Sequence, residues 1–548
     1  MSQHFKLILP DEGRNIYQPA KSLRWGYRYG PTIMVEGNVC HAWFASPGDG
    51  CEADWFTYRR SEDGGKTWTD ERMVMEPVPD SMDWFSVCDP AVIKYGDWYY
   101  MGYTSTLFAN GGGICNNVYI SRSKNPDGPF ERWTGNGWGE TRETEAGTLH
   151  WMGQPAPVVY FDEDWHNWGA GEPSFVIKDD VLYMYYTWTS RDLDGKPIGE
   201  TRVATADITD ENWPASIRWK GTAIKRTLPD NDSYDVVFCE DLNKFIALST
   251  AKRFSENSFL AVYESDDGLR FTHVNSIKSN VGWMCHNCGI SGDAHHHIRS
   301  GDTMLLGYAY GNEWGCWSTR LHEYSFTCMD EDFYDECDRS NLHHEMERSN
   351  DPAEYKTTIL YMGDHHRLRL RVGETADIPA TIGNISYNMR RMPGGVTYSD
   401  YDPAVVKIRE GKAIAKKAGY TYVRAHRDGC FCEFLITVFE QDDQTPLEWQ
   451  DWKPYPEKEV VDFVPLIPVY TASLSKREKK QIRGMATYAD SCRFELCGDD
   501  GVTYQNHAPE LLDVLPDGNV IPKGRLGSGT VTVTCGACSF DVTFTVIP

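Results

Sequence analysis

The sequence has no excess of basic residues and no long apolar run. Lys and Arg together number 54, against 80 Asp and Glu, and the formal net charge is −26. Proteins bind nucleic acids and anionic membrane surfaces mainly through Lys and Arg, so we expect neither partner. No apolar run approaches membrane-spanning length. The first residues lack a charged-then-apolar leader, so we expect a cytoplasmic location unless a leader has been removed.

Aromatic residues are abundant, with 19 Trp and 30 Tyr in 548 residues. Exposed aromatic rings stack on sugar faces, which indicates a carbohydrate site. Large antiparallel sheets also favour Trp and Tyr, and this alternative stays open. The net negative charge also argues against a polyanionic glycan, but less firmly than against nucleic acids. A local basic pocket can exist on a protein whose net charge is negative. The chain is too long for one ordinary domain, and we expect two to four.

The 16 cysteines are compatible with more than one chemistry. Cys492, Cys497, Cys535 and Cys538 have spacings that allow a zinc site or disulfides. In the absence of a leader we favour buried thiols instead.

A strand-and-turn unit recurs five times in the first 335 residues. Each unit begins with a short strand, turns seven residues later and continues with an apolar, aromatic strand, such as residues 98–101 or 182–185. Short strands repeating in this way are typical of β-propeller blades. The units begin at Gly30, Asp89, Glu172, Asp235 and His295. Because the first residue of an inner strand faces the central channel, we expect these five residues to converge.

The pattern predicts an all-β chain, with a five-bladed β-propeller over residues 1–335 followed by two small β-sandwich domains. An acidic linker covers 336–359. Residues 360–440 resemble bacterial immunoglobulin-like domains, and after a second linker over 441–458 the same theme recurs in 459–548. Neither sandwich gathers acids or histidines at strand starts. We therefore expect both to be spacers, packing partners or weak sugar-binding modules.

Three acids are candidates for catalysis. Glu172 opens a strand next to Pro173, and near Trp165 and Trp168 it is suited to keep a proton and deliver it to a leaving oxygen. The alternative is a carboxylate paired with an Arg in the channel. Asp89 supplies a second carboxylate, unless it only caps a turn before Pro90.

Asp54 is the third candidate, in a loop that can reach the axis from above; the alternative is an ordinary surface acid. Asp235 matches the repeat by register only. The cluster of Cys285, His286 and Cys288 with His295, His296 and His297 has zinc-like spacing. Alternation along a strand prevents neighbouring histidines from facing one ion, so we favour a single axial His.

Residues 61–68 match the Ser-x-Asp-x-Gly-x-Thr-Trp motif, the Asp box of sialidases and related propellers. This motif closes an outer turn, so it bears on the fold and not on the chemistry. More broadly, the chain resembles family 43 glycoside hydrolases and their five-bladed relatives in families 32, 62, 68 and 117. Residues 89–93, 98–105, 121–130, 172–174 and 292–295 carry this resemblance.

The resemblance implies roles for individual residues. Glu172 would be the general acid, Asp89 the pKa modulator, and His295 the axial His that touches water or a divalent cation such as Ca²⁺. Gly30 stands where the family has its Asp base, and Asp54 is the best substitute. The first unit also resembles sialidases, at residues 27–31, which include Arg28, and at Asp54.

The resulting expectation is a glycosidase without a required cofactor. It would cleave a neutral plant or microbial oligo- or polysaccharide, with inversion implied by the resemblance alone. We expect Arg28, Asp235, His295, Trp168 and Trp188 to bind the substrate. The alternatives are a non-catalytic glycan-binding propeller, in which Gly30 marks a lost base, and a sialidase-like hydrolase.

Overall fold

The computed structural model of this chain is built from β-strands. Its one described helix is a short 3-10 turn over Trp213–Ser216, and none in the described part of the chain is long and apolar enough to cross a membrane. The structure describes residues 3–19, 26–47, 54–77, 83–110, 113–139, 155–163, 167–192, 194–228, 231, 233–313, 315–337, 359–362, 367–383, 390–391, 394–444, 447, 459–465, 467–475, 479–488, 493–496, 498 and 501–548.

Two strands, β1 (His4–Ile8) and β2 (Arg14–Tyr17), precede the repeated units. The first three units form antiparallel sheets in chain order. They contain β3 (Tyr29–Glu36), β4 (Val39–Ser46), β5 (Trp55–Ser61) and β6 (Arg72–Met75); then β7 (Val87–Tyr95), β8 (Trp98–Asn110), β9 (Gly113–Ser123), β10 (Glu131–Trp133) and β11 (Trp138–Gly139); then β12 (Gly169–Lys178), β13 (Val181–Arg191), β14 (Pro197–Asp207) and β15 (Arg218–Lys225). A single parallel pairing, between Asn116 and Gly169, joins the second sheet to the third.

The next two units complete the series. They contain β16 (Asp235–Cys239), β17 (Lys244–Ala251), β18 (Phe259–Ser265) and β19 (Thr272–Ile277); then β20 (Cys285–Ile290), β21 (His297–Ile298), β22 (Leu305–Glu313) and β23 (Cys316–Glu323); then the short strands β24 (Ser325–Met329) and β25 (Tyr334–Asp335). The fifth sheet runs β20, β22, β23, β2, so the N-terminal strand β2 supplies its outer edge. This closure by the N-terminus was not foreseen from the sequence.

The five sheets surround one centre. Their first strands, β3, β7, β12, β16 and β20, contact one another in that order, and β20 returns to β3. Each neighbouring pair of sheets shares an apolar core between its faces. These cores contain Trp43 and Tyr103, Tyr100 and Phe175, Tyr185 and Phe245, Leu248 and Leu306, and finally Ile33 and Leu305. The expected all-β propeller class is confirmed.

The start of the fifth unit differs from the sequence prediction. Its inner strand is β20, which begins at Cys285 and is buried throughout, whereas His295 was predicted to open it. The pattern misled because His295 to Ile298 imitates the polar start and apolar continuation of the other units, and a turn follows it at the same distance. Asn287, not His295, therefore occupies the axial position of the fifth strand.

The segment 292–298 crosses the channel instead. Its backbone carbonyls accept hydrogen bonds from four inner strands, at the ends opposite to their first residues: Val35 to Gly292 at 2.8 Å, Lys94 to Ala294 at 2.8 Å, Ile177 to His295 at 3.1 Å and Phe238 to His296 at 3.0 Å. The buried ring of His296 adds contacts with three strands. Its Nδ1 lies 3.0 Å from the Phe175 carbonyl and 2.7 Å from that of Val236, and its Nε2 lies 3.0 Å from that of Ile290. We call residues 292–298 the crossing segment.

The motif at residues 61–68 closes the turn after β5. The Ser61 hydroxyl donates to the Asp63 carboxylate at 2.8 Å and accepts from the Gly65 amide. The amide and hydroxyl of Thr67 donate to the same carboxylate. These bonds lower the pKa of the exposed Asp63 carboxyl to about 2. The motif residues thus act on the turn, far from the axis.

In the remainder of the chain, the described residues form two units of ten strands each. The first contains β26 (Ile359–Met362), β27 (Arg367–Arg371), β28 (Thr375–Asp377), β29 (Ala380–Gly383), β30 (Arg390–Arg391), β31 (Thr397–Ser399), β32 (Val406–Arg409), β33 (Lys412–Ala415), β34 (Gly419–Arg427) and β35 (Cys430–Phe439). The second contains β36 (Val460–Pro465), β37 (Val469–Ser473), β38 (Lys480–Gln481), β39 (Gly484–Tyr488), β40 (Arg493–Leu496), β41 (Thr503–Asn506), β42 (Leu512–Val514), β43 (Asn519–Pro522), β44 (Gly527–Cys535) and β45 (Cys538–Ile547).

The two units have the same topology. The first has sheets β26-β29-β30, β27-β35-β34-β31 and β28-β33-β32, and adding ten to each number gives the sheets of the second. Each has its own apolar core. The described cysteines are thiols rather than disulfides, while Cys492 and Cys497 lie outside the described residues. The immunoglobulin-like assignment and the domain boundaries stay predictions.

The crossing segment generates a stability prediction. The substitution His296→Ala removes a buried ring that contacts three carbonyls and leaves a cavity, so it should lower the free energy of unfolding by about 2–4 kcal/mol. His295→Ala is the matched control. Its ring only packs on Tyr95 and His297, and its loss should be below about 1 kcal/mol. Denaturant unfolding measures both values, and equal losses would contradict the role given to His296.

Candidate active site

Four of the five inner strands share one backbone irregularity. The residues at the axis have positive φ: 54° for Gly30, 54° for Asp89, 51° for Glu172 and 24° for Asn287. In each strand the pairing register skips at that residue, as in a β-bulge. A left-handed residue other than glycine costs on the order of 1–3 kcal/mol, and such strain is concentrated at functional sites. The same left-handed conformation therefore recurs at one position in four strands, and in three of them a residue other than glycine adopts it.

These positions line one pocket at the axis. Its wall is made by residues from all five inner strands and the loop before β16: Gly30, Pro31, Thr32, Asp89, Pro90, Glu172, Pro173, Ser233, Tyr234, Asp235, Asn287 and Cys288. Asp89, Glu172 and Asp235 thus share one pocket, as the repeat predicted. Asn287 was missed, although an asparagine inside an inner strand is itself a signal, because Asn tolerates the left-handed conformation.

Glu172 is held by polar partners. Its Oε2 accepts from the Thr187 hydroxyl at 2.6 Å and from the Arg226 guanidinium at 3.3 Å. Its backbone amide donates to the Thr104 hydroxyl at 2.6 Å. Trp168 packs against the neighbouring Gly171, while Trp165 lies outside the described residues. The structure therefore has the Arg partner that the sequence left as an alternative.

Asp89 lies next to Asn287, whose side-chain amide donates to Oδ1 at 3.1 Å. Asp89 is 8% exposed and faces the pocket. Burial, followed by the charges of Asp89 and Asp54, raises the pKa of the adjacent Cys88 thiol well above its usual range. Cys88 therefore stays protonated at neutral pH and is no nucleophile.

Asp54 is a buried acid, 8% exposed, and not a surface residue. The Tyr27 hydroxyl donates to Oδ1 at 2.6 Å and the Tyr29 hydroxyl to Oδ2 at 2.8 Å. Burial, then the charges of Asp54 and Asp89, raise the pKa of Tyr29 well above its usual value. Tyr29 thus remains a hydrogen-bond donor to Asp54. Asp54 is not among the residues that line the pocket.

Asp235 ties inner strands together. Its Oδ1 accepts from the Ser174 hydroxyl at 2.7 Å, and its Oδ2 accepts from the Ile290 amide at 2.8 Å. The crossing-segment residue His296 lies 3.9 Å from Oδ1. Burial raises the pKa of the Asp235 carboxyl. These contacts indicate an architectural role at the floor of the pocket.

Three residues expected to bind substrate lie elsewhere. Arg28 forms a two-point ion pair with Glu71, away from the pocket wall. His295 packs on Tyr95 at the crossing segment, at the far end of the inner strands. Trp188 is 2% exposed, and its indole donates to Glu163 at 3.1 Å. Each of these side chains contacts another residue of this chain. Short-range sequence patterns do not reveal such contacts.

The divalent cation expected near His295 stays a prediction. The part of the chain that the structure describes contains no group of three or more His, Cys, Asp or Glu side chains placed to hold a metal ion. Within the Cys285–Cys288 stretch, His286 packs against Tyr29, Phe254 and Trp317.

The fold has distant likenesses among solved structures. A family 117 glycoside hydrolase of Zobellia galactanivorans matches at 14% identity and a TM-score of 0.38, over 59% of this chain and 90% of that one. The α-L-arabinofuranosidase of Podospora anserina in complex with cellotriose matches at 12% and 0.38, over 58% and 98%. A family 43 subfamily 1 enzyme of Xanthomonas citri, complexed with xylotriose, matches at 14% and 0.38, over 56% and 89%.

These likenesses establish neither the activity nor the substrate of this chain, because the identities and TM-scores are low. No family model matches the sequence, and no curated protein does.

The left-handed axial position can be tested at Gly30. A Cβ there would meet Asp89 at 3.7 Å and the Asn287 amide at 4.0 Å, which is ordinary contact. Gly30→Asn should therefore fold, with a loss of about 1–2 kcal/mol from the left-handed backbone. Gly30→Val should lose clearly more, because a β-branched residue is a genuine outlier there.

Gly30→Asp adds a pH dependence. The new carboxylate would face Asp89, and the repulsion raises the folded-state pKa of the pair above its unfolded value. Its stability deficit relative to Gly30→Asn should therefore be small near pH 4 and grow as both acids ionise toward pH 7. Denaturant unfolding of both variants across this range measures it, and a pH-independent difference would count against the proximity of the two positions.

Proposed function

We propose that this chain is a glycoside hydrolase acting on a neutral plant or microbial glycan. The observation that carries the proposal is the set of carboxylates that separate inner strands bring into one pocket, two of them in left-handed backbone. Hydrolysis of a glycosidic bond needs two carboxyl groups on opposite sides of the bond. Glu172 and Asp89 lie near the starts of neighbouring inner strands. Their hydrogen-bond partners differ, as the distinct roles of an acid and a base require.

Glu172 is proposed as the general acid. Thr187 and Arg226 both contact Oε2, so they hold the side chain in place at the pocket wall. The carboxyl group of Glu172 would pass its proton to the leaving oxygen of the sugar.

Asp89 is proposed as the base that activates water. Asp89 lines the pocket, whereas Asp54, the substitute that the sequence suggested, has both oxygens occupied by tyrosine hydroxyls. Asp54 lies near Asp89, and the charges of both act on Tyr29 and Cys88. Asp54 thus takes the modulating role and Asp89 the basic one. Inversion is retained as part of the proposal, on the resemblance to family 43.

A non-catalytic glycan-binding propeller is the second candidate, and Gly30 is the observation that favours it. A panel of aryl glycosides and polysaccharides, assayed for both cleavage and binding, separates the two. Saturable binding with no cleavage of any member would favour the binding protein.

The central prediction concerns Glu172→Gln. Glutamine keeps the hydrogen bonds to Thr187 and Arg226 but supplies no proton, so turnover should fall by about 10²–10⁴ while sugar binding is retained. Substrates with good leaving groups need less protonation and should lose less. Initial rates on paired good and poor leaving groups, with calorimetric binding, provide the measurement.

The matched control is Asp302→Asn, an exposed acid in an outer turn of the fifth unit, which should leave rates unchanged. Near-normal turnover of Glu172→Gln on a poor leaving group would refute the assignment.

A further inference from the structure

A lysine of the last unit is buried in the propeller. Lys480, at the start of β38, is 1% exposed in its side chain. Its Nζ lies 3.0 Å from the Asp162 carboxylate and 3.5 Å from that of Glu163, which are themselves 10% and 1% exposed. Asp162 and Glu163 precede β12, the strand of Glu172. Burial of an ammonium group requires such partners.

Backbone contacts surround this ion pair. The Gln481 amide donates to the Asp162 carbonyl at 2.6 Å, and the Arg483 guanidinium donates to the Phe161 carbonyl at 2.6 Å. Arg483 also lies over the Tyr160 ring, 4.6 Å from its centre. Residues 480–483 therefore hold the segment 160–163 along its length and not at one atom.

A short series of contacts leads from Lys480 to the pocket. Glu163 accepts from the Trp188 indole at 3.1 Å, and Lys480 lies 4.9 Å from the centre of that ring. The residue before Trp188 is Thr187, whose hydroxyl donates to Glu172 at 2.6 Å. On the paired strand, Ala170 lies opposite Trp188 and Gly171 opposite Thr187. Trp188 contacts both Lys480 and its partner Glu163. It is the neighbour of Thr187, whose hydroxyl orients Glu172.

We propose that Lys480 is a positioning residue for Glu172, and that the last unit is a structural part of the active site. This inference rests on the proposed function of Glu172 as the acid. It goes beyond the expectation that the C-terminal units are spacers, packing partners or weak sugar-binding modules. The physical reason is that removal of Lys480 takes an ammonium group away from two buried carboxylates, which then take up a proton, gain water or move. Each of these changes alters the contact between Glu163 and the Trp188 indole, beside the Thr187 hydroxyl.

The test uses the full chain with Lys480→Met, which keeps length and apolar packing but removes the charge. The matched control is Lys523→Met in the same unit, whose pair with Asp513 at 3.0 Å is solvent-exposed. Hydrogen exchange should rise in peptides covering 158–163 and 186–188 in Lys480→Met and stay unchanged in Lys523→Met. Unchanged exchange in Lys480→Met would overturn the proposal.

Rate measurements distinguish a loss of positioning of Glu172 from a general loss of structure. Because a displaced acid matters most when the leaving group needs a proton, Lys480→Met should lower kcat about tenfold or more on a poor leaving group and far less on a good one, with KM little changed. An equal loss on both substrates would show a purely structural role and overturn the proposal.

Trp188→Phe is the second variant, for the case that Lys480→Met does not fold. It keeps an aromatic ring but removes the bond to Glu163, and it should shift the ratio of the two rates in the same direction by a smaller factor. An unchanged ratio would overturn the proposal. If the wild-type chain cleaves no glycoside at all, the proposed function fails, whereas the exchange data still decide whether Lys480 anchors the segments beside Glu172.

Discussion

The left-handed backbone at the start of the inner strands is the constraint on which the pocket depends. An extended strand would point alternate side chains into the sheets that flank it, whereas the bulge at Gly30, Asp89, Glu172 and Asn287 lets one residue per strand face the axis. Glycine, aspartate and asparagine accept this conformation more readily than glutamate does. The apolar cores between neighbouring sheets pack against the inner strands and hold this backbone conformation in place.

The second feature of the pocket is that each acid has a different partner. Arg226 and Thr187 hold Glu172, Asn287 contacts Asp89, and Asp54 is enclosed by two tyrosine hydroxyls. Several carboxylates in one buried place would otherwise repel one another and prevent joint ionisation. Distinct partners instead place each carboxylate in a different environment, with a cation beside Glu172, an amide beside Asp89 and hydroxyl groups beside Asp54.

The sequence predicted the parts of this arrangement that depend on local repetition. Asp89, Glu172 and Asp235 were placed correctly at one pocket because turn spacing and strand starts are encoded within each unit. The fifth unit was misplaced because His295 to Ile298 repeats the same local pattern outside the strand. Arg226, Asn287 and Lys480 were missed since their partners lie 54 to 318 residues away in the chain. Trp188 was expected to bind a sugar, yet its indole bonds Glu163 and its ring contacts Lys480 of the last unit.

The crossing segment has a consequence for how molecules reach the pocket. It accepts hydrogen bonds from four inner strands at their far ends, and the His296 ring contacts three strands. Within the described residues, a molecule in the pocket therefore cannot leave along the axis past this segment, and entry and departure both have to avoid that end of the strands.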